Sequence, residues 1–468
     1  MSIPITRATL AVNALTALTA GVLTASQLTV ANAAPADFQA ALAEYHAGHY
    51  EAAHAAFLSL AELGNCSAQF NLAAMALHGQ GGPKDVGRGA GWLQAAAGNG
   101  CGELVGNHLA ELTPKLSAEE ARAAADIVAR YGLEALQAQG VMEPVFICRD
   151  VTPPRAVSAT AAETPPAASG KRQPAMVITA LTVGADGRAR DPEMLLAVPD
   201  NRFAASAVEA WFNSLFTPAQ RAGSAVPARL EAKTLFADSA PLAEAEVIRK
   251  ARPAADAGDP TAAYLIGLAA LHDSSLGVSG VRAKQLLLGA ASDGNPDAQY
   301  WVASQLRASV SCHPRADGEV WLRHAADGGN AAAQLLLAQD LLAGAPSASQ
   351  ATQARALLEQ AARADAYYVR KHVVALLASS TLDAVRDPPT ALALAKQLAA
   401  GEIRTDPQMY EVVAAAYAAN GDFHNASAQQ QLAVQKAQGL GWNTRTLTER
   451  LDAYRHDRAW HGDLLASL

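Results

Sequence analysis

The stretch DGNPDAQYWV, Asp293 to Val302, is written four times in this chain with small changes: LGNCSAQFNL from Leu63, AGDPTAAYLI from Ala257 and GGNAAAQLLL from Gly328. Aligning the turn glycines picks out Gly64, Gly100, Gly258, Gly294 and Gly329, spaced by 36 (100 − 64), 36 (294 − 258) and 35 (329 − 294) residues. A fixed period in this range marks an array of helix pairs. Glycine stops one helix by taking the left-handed conformation, and the Asn, Asp or Pro after it starts the next. Four residues past the glycine stand Ala68, Ala262, Ala298 and Ala333, whose methyl groups let two helices approach closely. The second helix of each unit closes on bulky residues followed by small ones, in WLQAAAGNG from Trp92, LLLGAASDG from Leu286 and WLRHAADGG from Trp321. Bulk fills the groove between helices, so Trp92, Tyr300, Trp301 and Trp321 read as core and not as ligand stackers.

The unit from Gly64 carries Ala68-Gln69, a Gly-x-Gly loop at Gly79 to Gly81, Lys84-Asp85 and Trp92-Leu93. With these it resembles the SEL-one-like repeats, relatives of the tetratricopeptide repeats that stack antiparallel helix pairs. Units after Gly258 fit less well, since HDSSLGVSG stands where the Gly-x-Gly loop belongs. Flanking segments read as degenerate hairpins around Gly48 and Gly421, with a closing helix from Leu447 to Trp460 and atypical terminal units.

Length, charge and the N-terminus bound the rest. The 468 residues carry 36 basic and 44 acidic side chains, a net charge of −8 with no basic cluster, which argues against nucleic acid as a partner. MSIPITR, then a hydrophobic run, then Ala31-Asn32-Ala33 before Ala34 read as a cleaved signal peptide over 1–33. The alternative is an uncleaved inner-membrane anchor, the one route to membrane contact. In an oxidising compartment Cys66, Cys101, Cys148 and Cys312 can form two disulfides; three pairings are open, and Cys66 with Cys101, tying neighbouring units, is preferred.

Two helical segments, 34–149 and 239–468, flank a different composition. From Arg149 to Pro174 the chain is rich in Pro, Ala, Ser and Thr and shows no period, which predicts a linker over 150–173. The period then switches toward two. AMVITALTV, an Asp186-Gly187 turn and ARDPEMLLAV predict a hairpin, the segment from Ala204 a helix, and VPARLEAKTLFA a third strand. The expected fold is mainly α, an α-solenoid in two segments with a small ββαβ α+β domain at 174–238. The strand ending in ADGR, the strand closing at Val198-Pro199, the Phe216-x-Pro218-Ala219 step and Gly223 make this domain resemble the C-terminal domain of TonB-type energy transducers. That resemblance implies capture of a partner strand along Ala228, Arg229, Leu230, Glu231, Ala232, Lys233 and Thr234, mainly through main-chain hydrogen bonds, so that single substitutions there have small effects.

Catalytic constellations are absent: no Walker loop, no H-E-x-x-H helix, no G-x-S-x-G elbow and no S-x-x-K. His46, His49, His54 and His78 read as surface residues, and Arg370 to His372 as a solvated helix face. No catalytic residue, metal or cofactor is expected. The reading is a non-enzymatic bacterial envelope adapter, periplasmic or secreted, with protein or peptide partners that include an outer-membrane receptor by the resemblance. A TonB-type transducer is the alternative, and a cell-wall or β-lactam hydrolase is disfavoured by the missing nucleophiles.

Overall fold

A computed structural model describes residues 37–142, 151–165, 173–236, 240–308 and 318–465. The N-terminal helices are α1 (Phe38–His46), α2 (Tyr50–Glu62), α3 (Cys66–His78), α4 (Val86–Ala96), α5 (Gly102–Leu112), α6 (Ala118–Tyr131) and α7 (Leu133–Ala138). Strands follow: β1 (Val151–Thr152), β2 (Arg155–Ser158), β3 (Met176–Val183) and β4 (Ala189–Val198), then α8 (Ala204–Phe212), then β5 (Leu215–Thr217), β6 (Ala219–Arg221), β7 (Ser224–Val226) and β8 (Ala228–Leu235). The chain then returns to helices: α9 (Glu246–Asp256), α10 (Pro260–His272), α11 (Gly280–Ser292), α12 (Pro296–Ala308), α13 (Glu319–Asp327), α14 (Ala331–Leu342), α15 (Ala348–Ala361), α16 (Tyr367–Ser379), α17 (Pro388–Ala400), α18 (Pro407–Ala419), α19 (Phe423–Gly439) and α20 (Arg445–Arg455).

The repeated turn works as its residues dictate. Gly64, Gly258, Gly294 and Gly329 have φ of 75°, 88°, 103° and 88°, the left-handed region that glycine enters without a Cβ penalty. The next residue closes the helix behind it: Asn65, Asp259, Asn295 and Asn330 donate N–H to carbonyls five residues back. Its side chain then caps the helix ahead, accepting from the amides of Ala68, Ala262, Ala298 and Ala333. The conserved shape of the Ala-Gln pair has a second cause that spacing alone did not give. Gln69, Gln299 and Gln334 reach back across the turn and donate to the carbonyls of Ala61, Ala291 and Ala326 at 3.1–3.2 Å. Each glutamine thereby satisfies a helix C-terminus that the turn leaves open. Replacing Asn330 with alanine removes one cap and its 2.8 Å bond to Asp297, and is expected to cost about 1–2 kcal/mol in denaturant unfolding.

Trp92, Tyr300, Trp301 and Trp321 are all buried, as their repeat positions require. Cys66 and Cys101 are bonded, with Cα atoms 5.7 Å apart, while Cys148 and Cys312 lie outside the described residues, as does the N-terminal segment read as a signal peptide. In place of the Gly-x-Gly loop, Asp273 and Ser279 cap the short turn and α11.

Between the arrays the sheet has strand order β4-β3-β8, both pairs antiparallel. One expectation is corrected: part of the predicted linker is strand. β2 pairs with β5, and β1 with β6, itself hairpinned to β7. β2 is exposed along its length, so it holds its place by main-chain pairing and leaves no alternation of apolar residues to read.

Candidate interaction site

β8 carries the residues expected to receive a partner strand, and it is an edge strand. Its whole length pairs with β3, from Ala228 opposite Val183 to Leu235 opposite Met176, and among the described residues no strand pairs with Ala228 to Thr234 on the other side. Both faces of the sheet are covered. Leu230 and Ala232 lie against the cluster of Leu181, Val183, Ala189 and Phe216, with Trp211 of α8 alongside. On the opposite face, Met176, Ile178 and Val198 join the core of the C-terminal array.

That second face is also polar, and apart from Arg229 of β8 itself the array supplies its partners. Glu193 of β4 accepts from Arg229 Nη2 at 2.9 Å and from the Tyr300 hydroxyl at 3.0 Å. Glu231 faces His272 Nε2 at 3.3 Å, accepts from Trp301 Nε1 at 3.4 Å, and is also bonded by Gln305. The expectation of small effects along this strand therefore does not extend to Arg229 and Glu231, whose side chains are engaged by their own chain. Lys233, by contrast, is exposed, and a lysine on an edge strand discourages indiscriminate pairing.

Two bulges aim β4 at the array. Its register against β3 slips between Ala180 and Thr182, where Asp191 and Pro192 stand opposite the single residue Leu181, and again between Ile178 and Thr179, leaving Leu195 extra. Asp191, at φ 48°, turns its carboxylate to Lys371 Nζ and His372 Nε2, each at 3.0 Å, and the Leu195 carbonyl accepts from the Tyr264 hydroxyl at 3.4 Å. Lys371 also reaches Asp406 at 3.0 Å and Gln408 at 2.8 Å. Arg370 to His372 are thus corrected from a solvated face: Lys371 is 0% exposed and His372 8%. Burial works against the lysine's charge, but Asp191 and Asp406 outweigh it and hold its pKa above the ordinary lysine value. Burial likewise opposes the Asp191 charge, and Lys371 with His372 reverses that, holding the carboxyl below its usual range.

Further along, α8 plugs the end of the array. Val208 and Phe212 pack with Ile403, Val434 and Trp442, and Glu209 accepts from the Thr405 amide at 2.9 Å. Arg190 lies 4.5 Å from the centre of the Trp442 ring.

No protein-family model matches this chain, and no curated protein matches it. A solved structure similar to it is the crystal structure of a protective antigen present in uropathogenic Escherichia coli strains, displaying an SLR fold. Identity is 14%, the match covers 90% of this chain and 85% of that one, and the TM-score is 0.32. A likeness at that level does not establish a common arrangement, and the paired-helix array rests on the chain's own turns and helices.

The remaining candidates are simply placed. His46, His49 and His78 are exposed, with His49 Nδ1 2.7 Å from Glu44, and His54 is half-buried. Among the described residues no group of three His, Cys, Asp or Glu side chains is placed to hold a metal, and no helix is long and apolar enough to cross a membrane.

Proposed function

We propose that the chain is a non-catalytic protein-interaction adapter of the bacterial envelope, exported and cleaved before Ala34, whose ββαβ module receives a partner strand on the outer edge of β8. The supporting observation is the edge itself. With α8 on one face of the sheet and the array on the other, the unpaired main chain of Ala228 to Thr234 is an edge that a protein or peptide strand can extend. Within the module β3, β4, α8 and β8 follow one another along the chain as strand, strand, helix, strand, with β5, β6 and β7 between α8 and β8; the receptor class implied by the resemblance to the TonB C-terminal domain, an outer-membrane protein, belongs to the same proposal.

A photo-crosslinking residue at Lys233, in the full chain incubated with envelope extract, is expected to capture discrete envelope proteins. The same residue at Lys250, an exposed position of α9 away from the edge, is expected not to. Equal capture from both positions, or capture of cytoplasmic proteins alone, overturns the reading. Mass spectrometry of the secreted chain tests the start at Ala34; retention of 1–33 would favour an anchored transducer.

A further inference from the structure

The joint between the two arrays is made where two copies of the repeated turn meet. Phe38, the first residue of α1, donates its amide to the Asp293 carbonyl at 3.1 Å. Asn65 donates from Nδ2 to the Ser292 carbonyl at 3.0 Å and to Asp293 Oδ1 at 2.8 Å. Ser59 and the His324 ring are 3.2 Å apart, and Glu62 lies 3.4 Å from His324 Nε2. Leu63, Leu136 and Val141 add a small apolar contact to the C-terminal core. The joint is slender and mostly polar.

Asp293 is the odd member of its series. The residue before the turn glycine is Leu63, Ala257 or Gly328 in the other copies, and only here is it a carboxylate. The half-buried group receives one neutral amide, and among the described residues no cation pairs with it. The other charged groups around the joint have partners of their own. On the N-terminal side Asp37 caps α1, and Glu62 has Arg130 of α6 at 4.0 Å. On the C-terminal side Asp297 of α12 is held by Asn330, and α13 brings His324 to Glu62 and Arg323 to Glu319.

We propose that this joint is a pH-responsive clasp: protonation of the Asp293 carboxyl closes the N-terminal array onto the C-terminal array, and its ionisation loosens the contact.

The titration supports the geometry. Burial, opposed by the Asn65 hydrogen bond, pushes Asp293 from 3.8 up to about 6. A carboxyl whose pKa is higher in the closed joint than in water takes up a proton on closing, so closure strengthens as pH falls through about 6 and weakens above it. With an ordinary value in the open joint, the closure constant at pH 5 is at most about tenfold that at pH 7.5, solvent at this half-buried site reducing the effect. Glu62 acts oppositely and at lower pH: the His324 hydrogen bond holds it below its usual value, so its contribution is lost only in stronger acid. An exported chain meets ambient pH directly, which is where such a clasp has a use.

Hydrogen exchange of the α1 peptide in the full chain, corrected for the intrinsic pH dependence of exchange, reads the clasp, and small-angle scattering reads the separation of the arrays. The wild type is expected to gain several-fold protection and become more compact on going from pH 7.5 to 5. Asp293→Asn is expected to be protected equally at both, and Glu62→Gln to keep the wild-type response. Should Asn disturb the turn, Asp293→Ala, the residue at the equivalent position 257, supplies a second non-titrating variant. A flat wild-type response, or a response that survives in the Asp293 variants, overturns the proposal.

Discussion

Lys371→Met is expected to lower the stability of the C-terminal array with its docked sheet by about 3–5 kcal/mol, read as a lower denaturant midpoint for that part of the chain. The reason is what the substitution leaves behind. Lys371 has no exposure, and its ammonium lies 3.0 Å from Asp191, 3.0 Å from Asp406 and 2.8 Å from Gln408. Methionine fills the volume but removes the cation that two carboxylates share, leaving Asp191 with His372 and the fully buried Asp406 with only the Tyr367 hydroxyl and the Gln408 amide. The triple variant Asp191→Asn, Lys371→Met, Asp406→Asn is expected to recover most of the loss, because no buried charge remains uncompensated. The exposed pair Lys250–Glu246, at 2.6 Å, supplies the contrast: Lys250→Met is expected to change stability by under about 0.5 kcal/mol. A Lys371→Met midpoint as close to wild type as that of Lys250→Met would mean that the lysine is not the clamp between sheet and array.

Lys371 also shows where reading the sequence stopped. The repeat turns were legible because the groups that define them are adjacent, a glycine for the left-handed φ and a capping Asn or Asp after it; the Gln five residues past the glycine was visible as a motif, but its bond back to the preceding helix was not. The hairpin from Met176 to Val198 was legible for the same reason, through Asp186-Gly187 and alternation. Lys371 finds its partners 35 and 180 residues away, at Asp406 and Asp191, and nothing in Tyr-Tyr-Val-Arg-Lys-His separates a buried lysine from a solvated one. The one available hint lay in its surroundings, since valine and leucine continue on every side from Val369 to Leu377 and leave no polar stripe. The candidate edge on β8 was legible as a strand, but the burial of Arg229 and Glu231 required knowing that the array packs over that face. Position along the chain separated the module from the array; packing brought them together.

Removing the Cys66–Cys101 bond is expected to destabilise the N-terminal array by about 2–4 kcal/mol while leaving the C-terminal array nearly unchanged. The bond joins the first turn of α3 to the residue before α5 across a separation of 35 residues. Closing a loop of that size removes about 4 kcal/mol of chain entropy from the unfolded state, an upper figure because residual structure in that state lowers it. The bond also secures a helix start that has no side-chain cap. At Gly100, φ 115°, the chain breaks helix between α4 and α5 without the side-chain cap that Asn65 or Asn295 provides elsewhere. Stacked repeats pass stability mainly to their neighbours, and the joint to the C-terminal array is slender, so the loss should stay local. Hydrogen exchange in a Cys66→Ala, Cys101→Ala chain tests this, with faster exchange expected in the α3 and α5 peptides and unchanged exchange in α16. Equal acceleration in both arrays would show that they unfold as one unit, and no acceleration in α3 would show that packing around Trp92 and Tyr131, whose rings lie 4.6 Å apart, already holds the turn. The outcome bears on location as well: a chain whose N-terminal array needs this bond is suited to an oxidising compartment, and in a reducing one it would keep its module and lose its first repeats.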